Sequence, residues 1–409
     1  MKIVLLGVED LLGRLPETLA GSGAEIIVVG PPESYLRHSV FVTRYIVLTP
    51  PTPGAGWYAT IIHNAEMLAE LEGDWYFVGS DGLATAIAQS ELPVATKIRL
   101  LPTHSTSAFP MMGSKVGFAR TMKTVGIIEP ETRTVQFPSE LEGALNEVGF
   151  PAMIKGDQGG GGSAVKRVTR LSDALVPDSW FPIVVQKFVP GPSISVEALF
   201  VAGELRGWLY SQALAVAGVH GPSSIRRFMN PPKADFLDGL RVLGAHAQLN
   251  GLFNCSLIWN QASQSHALFE VDPRPNAWFQ FGPALGVDWA ALMRGETVPA
   301  SPKLGRRGRV IHLYPRSLSS SLRLRQPWFA LPWLLGLPGT WSARNRRDAA
   351  VNAREAFLVR AAAKAGVVGI PYAVYLRLPR SVSSGMERSG VSAVLRRAMN
   401  SRRGQKPAR

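Results

Sequence analysis

The sequence predicts an α/β fold: an open parallel sheet, then a two-part α+β domain, then a basic C-terminal extension. Three observations carry that reading. Over residues 1–110, short continuous apolar runs alternate with helical stretches. A strand bearing Lys155 then runs into four consecutive glycines, Gly159, Gly160, Gly161 and Gly162. Finally, residues 293–409 hold 23 Lys+Arg against 4 Asp+Glu, whereas residues 1–292 hold 21 against 26. The net charge of +14 therefore belongs to the extension, and the body is mildly acidic.

A chain of 409 residues, 46% hydrophobic and 18% charged, is long enough for two or three domains with a good core. The spacing of elements divides it at 1–110, 111–292, 293–380 and 381–409. One cysteine, Cys255, forms no internal disulfide and suits a reducing cytoplasm. The opening MKIVLLGVED reads as a first strand rather than a secretion signal. No run approaches the roughly 20 apolar residues that a spanning helix needs.

In residues 1–110, KIVLLGV, EIIVVG, YIVLT and DWYFVGS read as strands. Three of them are continuous apolar runs, as expected of a parallel sheet buried on both faces. Asn64–Leu71 and Gly82–Gln89 read as helices. Gly7 and Gly13 lack the GxGxxG spacing, so no nicotinamide site is expected. Asp81 follows a strand, where open sheets place functional groups, with turn capping the plainer reading.

Residues 111–292 begin with a helix from about Ser114, stopped by Gly126. Lys115 falls in its first turn, where a cation is unfavourable unless an anion shares the site. IIEPETRTV, the helix SELEGALNEVG and the strand PAMIK follow. Backbone without Cβ atoms can close over phosphates and aim N–H groups at them, and Lys155 adds a point charge. VKRVT and IVVQKFVPGPSISVEALFVAGELRGWLYS read as strands, with Pro190-Gly191-Pro192 as the turn, and Ala234–Asn250 as a helix. A hairpin of GLFNCSLIW and HALFEVD closes the segment.

On that last strand Glu270 and Asp272 lie two apart, so both carboxylates face one side. Like charges on one face either flank a cation, with Mg²⁺ shared with phosphates the natural choice, or form a solvated acidic edge. Arg274 follows, as a phosphate-stabilising group in the first case and a counter-charge in the second. No Ser/His/Asp or Cys/His set competes, and Cys255 reads as core.

The order GSK–helix–G, PAMIKGDQGGGGS, VVQKFVPG and FEVDPRPNAW resembles the ATP-grasp superfamily, over about residues 1–292. The resemblance implies a preATP-grasp α/β domain followed by a two-part ATP-grasp domain. It implies a ligase that activates a carboxylate with ATP and Mg²⁺ (or Mn²⁺) and passes it to an amine or similar nucleophile. Lys115 and Lys155 would then contact phosphates, with Gly159 to Gly162 and Ser163 as the flap above them. Gln186, Lys187 and Val189 would read the adenine, with Gln186 where the family commonly has Glu. Glu197 would line the site, Glu270 and Asp272 would hold the metal, and Arg274 would orient the acyl phosphate. Ser256 stands where a third, acidic ligand is common, and Asp272 where Asn is usual. These departures leave open an ATP-binding protein without catalysis, in which nucleotide controls docking of the basic tail.

In the extension, residues 306–347 set an aromatic, proline-broken apolar stretch between arginine clusters. That pattern suits contact with an anionic membrane surface on its cytoplasmic face, or an accessory domain packed on the body. Its tryptophans cluster rather than interleave with basic residues, which argues against nucleic acid. Residues 381–409 read as a basic, partly disordered tail. Oligomer formation is left open.

Overall fold

The computed structural model describes residues 1–313, apart from 8–11, 13, 21–22, 128–129, 160–161 and 217–220. The readings made for the extension beyond residue 313, and for Gly160 and Gly161, lie outside the described residues. The chain divides into two compact units. One joins Met1–Gln212 to Met229–Arg306, and the other takes in Ala213–Phe228 and the chain from Arg307.

The first unit opens on a four-stranded sheet in the order β3-β2-β1-β4, all parallel. Its strands are β1 (Lys2–Leu6), β2 (Glu25–Gly30), β3 (Arg44–Val47) and β4 (Trp75–Val78). β4 is buried at every position, and β1 and β2 at all but the first, which explains their unbroken apolar runs. The helices are α1 (Leu15–Ala20), α2 (Trp57–His63), α3 (Ala65–Ala69), α4 (Asp81–Gln89) and α5 (Val94–Leu100). α2 and α5 were not legible in the sequence. WYATIIH is rich in aromatic and β-branched residues that favour helix weakly, and tertiary packing overrides that preference.

A small antiparallel sheet follows, in the order β5-β8-β6-β7. α6 (Lys115–Thr124) leads into β5 (Thr132–Val135), α7 (Leu141–Val148), β6 (Ala152–Gly156), β7 (Val165–Val168) and β8 (Ile183–Lys187). Leu145 and Val148 of α7 pack on Ala152, Ile154, Ile183 and Val185 as a separate core. Burying each such aliphatic side chain contributes roughly 1.5–3 kcal/mol.

Pro190-Gly191-Pro192 then carries the chain out of this sheet into a larger one, rather than back along it. There β9 (Ser193–Val201) pairs antiparallel with β10 (Glu204–Val216) on one side and β12 (Gly251–Asn260) on the other. β12 pairs in turn with β13 (Ser265–Asp272), the hairpin expected from the sequence. α8 (Phe236–Ala247) lies between β10 and β12 in the chain. One core joins Val4, Leu6 and Val78 of the first sheet to Val196, Phe200 and Phe253 of this one. In the second unit, β11 (Ser223–Phe228) pairs antiparallel with β14 (Arg309–His312). Among the described residues, no helix is long and apolar enough to cross a membrane.

Candidate active site

The first sheet, the small-sheet loop and the large sheet meet around a cavity of about 290 Å³. Tyr58, Ser80, Asp81 and Gly82 form one wall. Ser114, Lys115, Gln158 and Gly159 form another, and Glu270, Val271 and Asp272 the floor.

α6 begins at this cavity because Ser114 caps it, its Oγ accepting from Gly117 N at 2.9 Å. Asp157, just past β6, strengthens the cap: its Oδ1 accepts from Ser114 Oγ (2.7 Å) and Val116 N (2.9 Å). That placement puts Lys115 over the floor. Its Nζ lies 3.4 Å from Glu270 Oε1 and donates to Gly159 O at 3.2 Å. The anion that a first-turn lysine requires is therefore Glu270. Gly159 has a φ of +137°, which a side chain would resist. Ser163, at the loop's far end, is exposed.

Lys155 is buried on β6, and its Nζ donates to Gln186 Oε1 at 2.7 Å and lies 4.3 Å from the Phe269 ring centroid. Gln186 Nε2 donates in turn to Thr132 Oγ1 at 3.0 Å. Lys187 N donates to Glu131 O at 2.8 Å and its Nζ to Val148 O at 3.2 Å. Val189 is half-buried just beyond β8. None of these four residues lines the cavity itself.

The carboxylates occupy successive outward positions of β13. Asp272 stands opposite Asn254 on β12, and Glu270 opposite Ser256. The position expected to carry a third ligand thus offers a hydroxyl. Asn254 Nδ2 donates to Asp272 Oδ2 at 2.9 Å. Asn254 Oδ1 accepts from Ser195 Oγ (2.8 Å) and Asn276 Nδ2 (2.7 Å). Glu197 is fully buried beneath them, its Oε1 accepting from the same Ser195 and Asn276, both at 3.1 Å. It does not line the cavity.

Burial, then the charge of Asp272, push the Glu270 carboxyl above its ordinary range, while Lys115 and Lys155 pull it down. Burial and Asp272 likewise raise Asp81 to about 6, against the pull of Arg274. Carboxylates that penalise one another's ionised form in one cavity suit a hard cation shared with phosphate oxygens. Glu270 and Asp272 therefore fit Mg²⁺ or Mn²⁺ as a pair. Among the described residues no cluster of three His, Cys, Asp or Glu could hold a metal by itself.

Asp81 corrects an expectation. The plainer reading made it a turn cap, but Ser80 caps α4, its Oγ accepting from Leu83 N at 3.2 Å. Asp81 is the first helical residue, and its carboxylate turns instead to Arg274, whose Nε (2.9 Å) and Nη2 (2.7 Å) both donate to Oδ2. Arg274 Nη2 also lies 3.3 Å from Asp272 Oδ2. Of the residues singled out from sequence, the structure brings Lys115, Gly159, Glu270 and Asp272 to one cavity and bonds Arg274 to Asp81, which lines it. Sequence reasoning missed Tyr58, Ser80, Gln158 and the Ser195–Asn254–Asn276 cluster, which carry no charge; Gln158 and Asn276 lie within the quoted motifs but were given no role there. Cys255 is fully buried, and its thiol is pushed up by that burial.

The parallel sheet, the small antiparallel sheet and the large sheet with paired carboxylates on its edge strand β13 make the fold expected from the ATP-grasp resemblance, and solved structures share it. An N5-carboxyaminoimidazole ribonucleotide synthetase, solved as an ADP complex, superposes with a TM-score of 0.56 at 16% identity, covering 73% of this chain and 78% of that one. The carboxyaminoimidazole ribonucleotide synthase of Aspergillus clavatus, complexed with ATP, gives 0.55 at 17% identity, covering 74% and 80%. Biotin carboxylase of Campylobacter jejuni gives 0.53 at 16% identity, covering 73% and 72%. In sequence, the chain is 26% identical over 208 residues to the arginine-specific carbamoyl phosphate synthase large chain of Eremothecium gossypii. That match covers 45% of this chain and 18% of that protein's length. No family model matches the chain.

Proposed function

We propose that this protein is an ATP-dependent ligase that activates a small carboxylate as an acyl phosphate and transfers it to an amine or similar nucleophile. The observation that carries the reading is the convergence of Lys115, Glu270 and Asp272 on one cavity, with Arg274 bonded to Asp272 and Asp81 at its edge. The nucleotide-bound structures among its structural neighbours support the same reading.

Lys115 and Lys155 bind phosphate oxygens, with the Gly159 backbone beside Lys115. Gln186, Lys187 and Val189 border the adenine. Because the Lys187 amide is already committed to Glu131 O, the Val189 amide is the one offered to the base. Glu270 and Asp272 would hold Mg²⁺, which would supply charge neutralisation for the phosphates, and Glu197 orders the amides beneath Asp272. Residues 1–110 and 111–292 act as the preATP-grasp and ATP-grasp domains.

In the first step a substrate carboxylate oxygen attacks the γ-phosphorus, the bond to the β–γ bridging oxygen breaks, and ADP leaves. In the second, the amine attacks the acyl carbon, phosphate leaves, and the amine gives up its proton. The protein's part is positioning and charge stabilisation, with Arg274 as the guanidinium closest to the metal-binding carboxylates. With Ser256 opposite Glu270, only Glu270 and Asp272 would offer carboxylates to a metal there.

ADP release with Mg²⁺-ATP against pools of carboxylates and amines tests this, with Lys155→Ala and Glu270→Ala as controls. Release that requires one pool and disappears in both variants is the expected result. Nucleotide binding with no turnover in any pool would instead indicate a binding protein.

A further inference from the structure

The Arg274 guanidinium is held by an acid that enters the chain 193 residues earlier. Both hydrogen bonds use a single oxygen, Asp81 Oδ2, and engage Nε and Nη2. The contact with Asp272 uses Nη2 again. Nη1 takes part in none of them and has no partner among the described residues. Asp81 is itself held firmly, as the first residue of α4. Its backbone carbonyl accepts from Thr85 Oγ1 at 3.0 Å, and that hydroxyl also donates to Met112 O at 2.9 Å. Gly113 lies so close that a Cβ there would collide with the Asp81 carbonyl oxygen.

We propose that Asp81 is a positioning residue for Arg274: it grips one edge of the guanidinium so that Nη1 is left to meet a phosphoryl oxygen. The inference rests on the ligase reading for the identity of that anion, but its test does not need turnover. Grip and charge predict opposite signs. As a bare negative charge beside a phosphate site, Asp81 repels ATP, and its removal would tighten binding. As the grip on Arg274, its removal frees a flexible cation that must be reordered on binding, and affinity falls.

The experiment is calorimetric titration of Mg²⁺-ATP into the full chain as wild type, Asp81→Asn, Arg274→Ala and the double variant. Asp81→Asn is nearly isosteric, and Asp81→Ser provides a second variant, each checked by circular dichroism and thermal melting. The expected result is an ATP Kd raised about tenfold by Asp81→Asn in the wild type and unchanged by it in the Arg274→Ala background. Tighter or unaltered binding in Asp81→Asn overturns the proposal, as does an equal loss in both backgrounds. ATP binding with the expected coupling but no ADP release from any pool would sink the ligase reading alone.

Discussion

Lys155 Nζ donates to an uncharged acceptor, Gln186 Oε1, at 2.7 Å, so this contact fixes the lysine's charge in place without adding a carboxylate beside it. A carboxylate at residue 186 would hold the lysine as firmly but would offset that charge. Gln186→Glu is expected to leave stability near wild type and to raise the ATP Kd several-fold. Gln186→Ala removes the acceptor from a buried cation and is expected to cost about 1–3 kcal/mol. Urea melts and ATP titration check both. Gln186→Glu binding ATP as well as wild type would show that Lys155 does not act through its charge.

Asn254 orients Asp272 and is itself held by Ser195 and Asn276. Groups that orient a metal ligand typically matter 10–100-fold for metal affinity. Asn254→Ala is therefore expected to weaken Mn²⁺ binding by about tenfold or more, read by electron paramagnetic resonance of free Mn²⁺. The same affinity in the variant would remove Asn254 from the site.

Gly117 allows α6 to pass against the preceding segment. A Cβ there would collide with the Pro110 carbonyl oxygen, a backbone atom that cannot swing aside. Overpacking of this kind costs roughly 1–3 kcal/mol. Gly117→Ala should lose stability on that scale in urea melts. A neutral outcome would mean that the start of α6 shifts freely, and ATP affinity should then change with it.

His312 belongs to the second unit and is pushed down to about 4 by burial. Its imidazole is neutral when folded at pH 7, and protonation favours the unfolded chain. Its contribution is full above pH 6.5 and is lost as pH falls to about 4, amounting to about 3 kcal/mol. The stability difference between wild type and His312→Gln should shift against wild type by that amount between pH 7 and pH 4. A difference that does not change with pH would contradict burial of the neutral form.

Strands β1, β2 and β4 of the first sheet were readable because burial on both faces writes the structure into unbroken apolar runs. Glu270 and Asp272 were readable because alternation along a strand fixes which side chains share a face. The Asp81–Arg274 contact was not, since nothing local to either residue marks a partner 193 positions away. Asp81 also shows the limit of local reasoning: the capping signal was real, but its serine neighbour carries it. The amides Asn254 and Asn276 were invisible for a different reason. Their side chains satisfy one another, and uncharged amides, one in a strand and one in the loop after β13, give no compositional sign of it.

The Asp157 cap has one more consequence. The near end of the glycine loop is moored to the first turn of α6 through Ser114 and Val116, with Lys115 reaching back to Gly159. A tug on the loop is therefore felt as slack or tension at a single backbone amide. Deuterium uptake at Val116 would act as a built-in strain gauge, slowing when the loop is drawn down over a ligand and quickening when that ligand leaves.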